Sequence, residues 1–588
     1  MHLEAADSAR ELFDEQEIIL PGKLFSSEEI IGMRQQAYDF EARLRDVLSG
    51  ERDPWLRSLD SFVVRPISYG FFRIWQLMYK LGSQVDLASA GFYPSFSRIH
   101  ISFVASHEQS VMEQALASIA LRQSAHARNI VGGIKRGCVL FSGWAVNKFA
   151  GICLKRLASR PDLSGEKADI LVAGLLSTDL HAQRTLVRLL RSKHQGTVAW
   201  YCYSSGVHDL SQDEKMRQGD ETVMTPVNWR KTVEWRYAGM EQWSRAYLNS
   251  QMVNIIEKAQ LPKFDYLPPD ATSLLARYII DSHEPLRKTY AAVKSYFDPL
   301  DPSVVVGNCN CNAMAFAREW ARENNVPYVK LPHGFEYDVE DAYEWDNEAT
   351  GFLGGWLMDS VAEAFPDNQG LFCAGGAHFA EQSDICRDVL PQLPSSRVVC
   401  LLASDTVMTD YPDHDDQQYA ETIELAGLVS RCGLVLSIRC HPRSRKKWLY
   451  QKIVADAARA GIKIELSDSK ASLSKELHGI AAAVMRLSSG SAIVALYQAV
   501  PLIGWTPRPG LGGSDKFLSG LPYHGISASE IAELAHKAIS DPNARMDVLS
   551  RQRDYLAQIV EDPYGDPWQR SIDVILREYE KAKREERL

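Results

Sequence analysis

Residues 437–447 read SIRCHPRSRKK: the apolar run GLVLSIR leads straight into His441 and Pro442, with Arg439, Arg443, Arg445, Lys446 and Lys447 around them. An imidazole at the end of a strand, in a turn stiffened by proline and crowded with cations, suits a phosphate dianion or a diphosphate. A capping histidine in a solvated basic turn is the plainer alternative. Forty-seven residues past His441, the run Ser488, Ser489, Gly490, Ser491 stands between a strand pattern and a helix pattern. Hydroxyls and free amides gathered at a helix start hold a phosphate or carboxylate readily, although an ordinary serine N-cap also accounts for them. In YVKLPHGFEYDVEDAYEWDN, residues 328–347, a strand pattern delivers His333 and Gly334, and Glu336 and Asp338 follow. A neutral imidazole can take a proton from an attacking hydroxyl while a carboxylate fixes its tautomer; the alternative is a structural histidine in a tight glycine turn. Asn308 and Asn310, in GNCNCN, stand between a strand and a helix, where they can line a ligand or serve as Asx caps.

These loops need elements to carry them. From about residue 137 the runs CVLFSGW, NKFAGICLKRLASR, ADILVAGLL, AQRTLVRLLRSK and TVAWYCY alternate short apolar stretches with longer amphipathic ones. Parallel neighbours need a crossover of a dozen or more residues, so this alternation predicts a parallel sheet covered by helices. A helical stretch at 228–297 interrupts the series, which PSVVVGN, NAMAFAREWARENN and PYVKLPHG resume. A second series starts near 396 with SRVVCLLAS and GLVLSIR and continues through IKIEL, AAVMRL and PLIGW. Pro366, Gly375, Gly376, Pro391 and Pro394 mark a linker between the two. The expectation is an α/β protein with two Rossmann-like doubly wound domains facing across a cleft. A helical N-terminal extension (1–125) precedes the first domain (126–365, with the insert 228–297). The second domain (366–545) is followed by C-terminal helices (546–588). Open α/β sheets place ligands at the carboxyl ends of their strands, so the loaded loops would face one cleft.

Composition narrows the partners. The 588 residues carry 65 Lys and Arg against 75 Asp and Glu, a formal charge of −10, which disfavours a broad nucleic-acid footprint. Ten cysteines without a CxxC pattern predict reduced thiols in a cytosol and no zinc site. The start MHLEAADSARELFDEQE lacks the pattern of a secretory signal, and no apolar stretch is long enough to span a membrane. Neither GxGxxG nor GxxxxGK[ST] occurs. Trp55, Phe71, Phe72, Trp75 and Tyr79, interleaved with Arg57, Arg65, Arg73 and Lys80, read as a core helix with basic edges or as a face for lipid headgroups. The sign-alternating charges of the last helix read as a solvated surface.

The order HG, then HP after a strand, then SSGS before a helix and a closing PLI strand resembles the GT-B glycosyltransferases and transferases of bacterial surface polymers. The likeness is greatest to CDP-glycerol glycerophosphotransferases, polysialyltransferases and capsule Kdo transferases, and it covers about 300–510. The resemblance implies that His441 and Pro442, flanked by Arg439 and Arg443, and the turn Ser488, Ser489, Gly490, Ser491 bind a cytidine-nucleotide donor. It also implies that His333, with Asp338 or Glu336, activates the acceptor, whose side includes Gly334, Asn308 and Asn310. The form TDYSS is absent, since Met485-Arg486-Leu487 precedes the serines. That departure favours a CMP-linked acidic sugar, such as Kdo or a sialic acid, over glycerol phosphate. The function so implied is transfer to a bacterial surface glycan, of capsule or lipopolysaccharide. It needs no metal and no resident cofactor, and it implies a glycan or lipid-linked acceptor and peripheral contact with the inner face of the cytoplasmic membrane. A UDP-sugar transferase or 2-epimerase-like enzyme, and a non-catalytic binding module, are the competing readings.

Overall fold

The computed structural model describes residues 27–50, 167–175, 180–203, 245–267, 269–307, 312–332, 348–364, 370–382, 397–403, 415–440, 447–467, 473–486, 490–507 and 513–586. The run CVLFSGW and the aromatic and basic segment at 55–80 lie outside them. The first sheet contains β1 (Ile170–Leu175), β2 (Val198–Tyr203), β3 (Val304–Gly307), β4 (Tyr328–Lys330), β5 (Glu348–Phe352) and β6 (Leu371–Cys373). Its order is β2-β1-β3-β4-β5-β6, and every pairing is parallel. The helices of this part are α1 (Ser27–Ser49), α2 (Leu180–Lys193), α3 (Arg245–Lys258), α4 (Ala271–Leu300), α5 (Asn312–Glu323), α6 (Gly355–Ala364) and α7 (Ala377–Gln382).

Alternation along the strands sorts the core into two layers. Leu171, Ala173, Val305 and Tyr328 face one layer, filled by α1, α3, α4 and α5. Ile170, Val172, Val304, Val306 and Val329 face the other, filled by Leu186, Val187 and Leu190 of α2 and by a helix from the end of the chain. Buried on both faces, these strands read as continuous apolar runs, which is why they were visible in the sequence. The part of the expected N-terminal extension that is described, α1, sends Ala37, Phe40, Leu44 and Leu48 into the first-domain core at helical spacing. The first sheet runs on to Cys373, past the boundary drawn at 365, because β6 pairs along β5. A Cβ at Gly351 of β5 would lie 2.8 Å from Phe372 Cζ and 3.1 Å from the Lys330 carbonyl, so only glycine lets these short strands close up.

The second sheet contains β7 (Val398–Ala403), β8 (Val435–Cys440), β9 (Ile464–Leu466), β10 (Ala482–Met485), β11 (Leu502–Trp505) and β12 (Tyr523–Gly525), in the parallel order β12-β11-β10-β7-β8-β9. This is the doubly wound order, with winding reversed between β7 and β10. Its helices are α8 (Asp415–Arg431), α9 (Lys447–Arg459), α10 (Leu473–Leu477), α11 (Gly490–Tyr497), α12 (Gly513–Gly520), α13 (Ala528–Ser540) and α14 (Pro542–Ile559). On one face α8, α9 and α13 cover Val399, Leu401, Val484, Ile503 and Trp505; on the other, α10, α11 and α12 cover Cys400, Leu402, Ala483 and Met485. Local chemistry ends and starts helices where expected: Ser527 and Glu530 form a capping box for α13, and Asp541 accepts from the N–H groups of Asn543 and Ala544 ahead of α14. The class is therefore α/β, with two Rossmann-like domains.

The last helix, α15 (Gln569–Glu585), crosses back to the first sheet, where Ile572, Val574 and Ile575 join the layer under β1 and β3. Its far half is held at the amino edge of that sheet. The Tyr579 hydroxyl donates to Asp169 Oδ1 at 3.0 Å and the Thr197 N–H donates to Oδ2 at 2.8 Å. His194 Nε2 stands 3.4 Å from the same carboxylate, and its ring meets Tyr579 edge-on at 4.6 Å. Burial pushes the Asp169 carboxyl up, but the hydrogen bonds from Thr197 and Tyr579, with the His194 ring beside them, outweigh it and hold the group below the usual carboxylate range. A carboxyl lowered on folding stabilises the fold above its unfolded value of about 4 and loses that contribution as pH falls through its folded value. The difference in melting temperature between the wild type and Asp169→Asn is thus expected to be small near pH 3 and to grow towards pH 6. A difference independent of pH would remove the carboxylate from the clamp.

Candidate functional site

Of the residues singled out in the sequence, Arg439, Gly490 and Ser491 fall among the described ones. His333, Gly334, Glu336, Asp338, Asn308, Asn310, His441, Pro442, Arg443, Ser488 and Ser489 lie outside them. The elements that carry those loops are in place. β8 ends at Cys440, directly before His441, and β10 ends at Met485, three residues before Ser488. β7 lies between the two, with Leu402 opposite Arg439 on one side and opposite Met485 on the other. The His-Pro loop and the serine turn thus leave the carboxyl edge of the sheet two strand spacings apart, about 10 Å, astride the reversal in winding.

Arg439 is buried. Its guanidinium is ion-paired with Glu476 of α10, and the residue is 8% exposed. The register puts it on the sheet face shared with Leu402, under α10, so its charge is already matched within the second domain. A second arginine, which the motif reading passed over, stands at the end of β10. Arg486 is ion-paired with Glu421 of α8 and lies over the Trp505 ring, 4.8 Å from its centroid. A charged side chain directly after a buried strand was the available signal for it. Glu421, sixty-five positions earlier on an amphipathic helix, gave none.

The first domain presents a small cavity at the carboxyl ends of β1 and β3, its own point of reversal. Val172, Val306, Gly307 and Pro332 line it, together with Gln183, His378, Trp568 and Ser571. Gly307 immediately precedes Asn308 and Pro332 immediately precedes His333, so both acceptor-side loops of the sequence reading leave from this rim. The Gln183 carbonyl accepts from the Trp200 indole at 3.0 Å, and α15 contributes Ser571 from 400 residues away.

The carboxyl edges of the two sheets meet the same short helix. His378 of α7 walls the first-domain cavity, while a Cβ at Gly490, the first residue of α11, would lie 2.5 Å from the ring of the adjacent Phe379. One turn earlier, a Cβ at Gly376 would lie 2.5 Å from the Tyr497 hydroxyl at the other end of α11. The Glu561 N–H donates to the Leu353 carbonyl at 2.7 Å, which ties the chain leaving α14 to the chain leaving β5. At Gly376 and Gly490 the backbone of one segment thus packs closely against a side chain of the other, Tyr497 and Phe379. Among the described residues, no helix is long and apolar enough to cross a membrane.

No protein-family model matches the chain, and no curated protein matches it. Among solved structures it is similar to UDP-GlcNAc 2-epimerase from Neisseria meningitidis bound to UDP-GlcNAc (10% identity, TM-score 0.41), covering 70% of this chain and 99% of that one. A putative UDP-N-acetylglucosamine 2-epimerase from Listeria monocytogenes has 12% identity and a TM-score of 0.42, with 70% and 95% covered. Apo UGT2 of Phytolacca americana has 12% identity and a TM-score of 0.40, with 70% and 100% covered. With TM-scores below 0.5 at such identities, these likenesses carry no argument about this chain.

Proposed function

We propose that this chain is a transferase of the GT-B kind that takes a sugar from a nucleotide donor held at the carboxyl edge of the second sheet and passes it to an acceptor at the first. The observation that carries this is the placement of the two loaded loops: the strands that precede His441 and Ser488 flank β7 at the reversal of winding. In this reading His441 and Arg443 meet the leaving phosphate, where negative charge grows as the glycosidic bond breaks, and the turn Ser488–Ser491 holds the phosphate or the sugar carboxylate. His333, on the loop that follows Pro332, takes the acceptor proton, with Asp338 or Glu336 as its partner. Gly334, Asn308 and Asn310 border the acceptor. Arg439, matched by Glu476, is a support for β8 in this scheme.

The donor we favour is a CMP-linked acidic sugar, for which the cationic surroundings of His441 and the missing TDYSS form speak. A thermal-shift panel of CMP, CDP, UDP and GDP tests it. A ligand at a hundred times its dissociation constant stabilises the protein by about 2.7 kcal/mol. Preferential stabilisation by CMP is expected. Preference for UDP would move the reading to a UDP-sugar enzyme, and no response to any of the four would overturn the nucleotide-sugar reading itself.

A further inference from the structure

Two buried arginines end strands on either side of β7. Leu402 of β7 lies opposite Arg439 and opposite Met485, so Arg439 projects to the Leu402 face, and Arg486, one residue beyond Met485, projects to the other. Each is matched by a glutamate from the helix layer on its own face: Arg439 by Glu476 and Arg486 by Glu421. A buried ion pair adds little to stability compared with apolar packing of the same volume, so its position matters more than its count. Here the position is the carboxyl edge at the reversal of winding, where open sheets take their ligands. The two pairs differ in one respect. Arg486 keeps 6% of its side-chain surface in solvent, whereas Glu421 keeps 28%, so the cation is the fixed member and the carboxylate the solvent-side member. Beside the guanidinium, Trp505 is fully buried and its Nε1–H has no acceptor among the described residues. A buried donor without an acceptor calls for a partner.

We propose that Arg486 is an anion-receiving group of the donor site and that Glu421 is its resident counter-ion, displaced when a phosphate of the donor arrives. The inference rests on the nucleotide-donor reading above and adds residues which that reading did not contain. Exchange of one oxyanion for another on a guanidinium keeps the charge-assisted hydrogen bonds and makes or breaks no covalent bond. The Trp505 face holds the guanidinium in place during the exchange, and its N–H gains an acceptor. Glu421 then acts as a brake, because its charge opposes any anion that approaches Arg486.

The two members of the pair should therefore act in opposite directions. Calorimetric titration of the full chain with inorganic pyrophosphate is expected to show about tenfold tighter binding for Glu421→Gln and about tenfold weaker binding for Arg486→Met. Arg486→Lys, which keeps the charge, is expected to lie between Arg486→Met and the wild type. Binding weakened or unchanged by Glu421→Gln would overturn the exchange, and so would absence of pyrophosphate binding by the wild type and Glu421→Gln alike. Melting curves of each variant establish that it is folded, and Glu421→Gln carries the sign of the effect even where Arg486→Met is unstable. If pyrophosphate shows the opposed shifts while CMP, CDP, UDP and GDP all fail to bind, the nucleotide reading falls and the exchange stands. If a nucleotide binds wild type and Glu421→Gln equally, the exchange alone falls.

Discussion

Replacing His441 by alanine is expected to lower turnover of sugar transfer by about a hundredfold or more, with the far-ultraviolet circular dichroism of the protein unchanged. The magnitude is that of losing one hydrogen-bond donor aimed at charge that develops in the transition state. The direction follows from where β8 ends: Cys440 is its last residue, on the edge of the sheet that also releases the serine turn. Fold retention follows from the same fact, since the packed residues of β8 are Leu436, Ile438 and Cys440, and His441 lies beyond them. Steady-state kinetics should show the loss mainly in kcat, because a group that meets the leaving phosphate contributes more in the transition state than in the ground state. A variant with near-normal kcat would remove His441 from the donor site.

Ile572→Ala is expected to destabilise the first domain by about 2–5 kcal/mol, the cost of emptying a fully buried aliphatic site. Ile572 is fully buried in the layer with Ile170, Val172, Val304 and Val306, although some 400 residues separate it from β1. The effect should appear as a lower urea midpoint for the first domain and as faster amide exchange in β1 and β3. If only α15 loosened, with β1 and β3 protected as before, the crossing helix would be an appendage and no part of that core. The same helix supplies Ser571 to the cavity wall, so the substitution is expected to weaken acceptor binding as well.

Much of the second domain was legible because its strands are buried on both faces. VVCLLA, VLSIRC, AAVM and LIGW are short apolar runs bounded by helical patterns, and each became a strand. The strands that escaped, β5, β6 and β12, have only three to five residues, and Gly351 and Gly525 interrupt β5 and β12, so neither length nor alternation marked them. Sign-alternating charges made α15 look like a solvated helix, and its tail charges are indeed paired locally, as in Lys583 with Glu586. Its apolar positions 572, 575 and 579 held the docking information, but nothing local said against which sheet they would pack. The chemical loops were visible from residue types at strand ends. What their neighbours do with those charges was not: Glu476 and Glu421 reach their arginines across 37 and 65 residues, distances over which sequence pattern carries no pairing signal.

The donor is expected at one place, the edge of the second sheet on either side of β7. A crystal structure with the nucleotide that gives the largest thermal shift tests it most directly. The predicted result is a phosphate within hydrogen-bond distance of the His441 imidazole and of the turn that begins at Ser488, above the ends of β8 and β10. A nucleotide seated elsewhere, for example in the first-domain cavity lined by His378 and Trp568, with no contact to either loop, would contradict it.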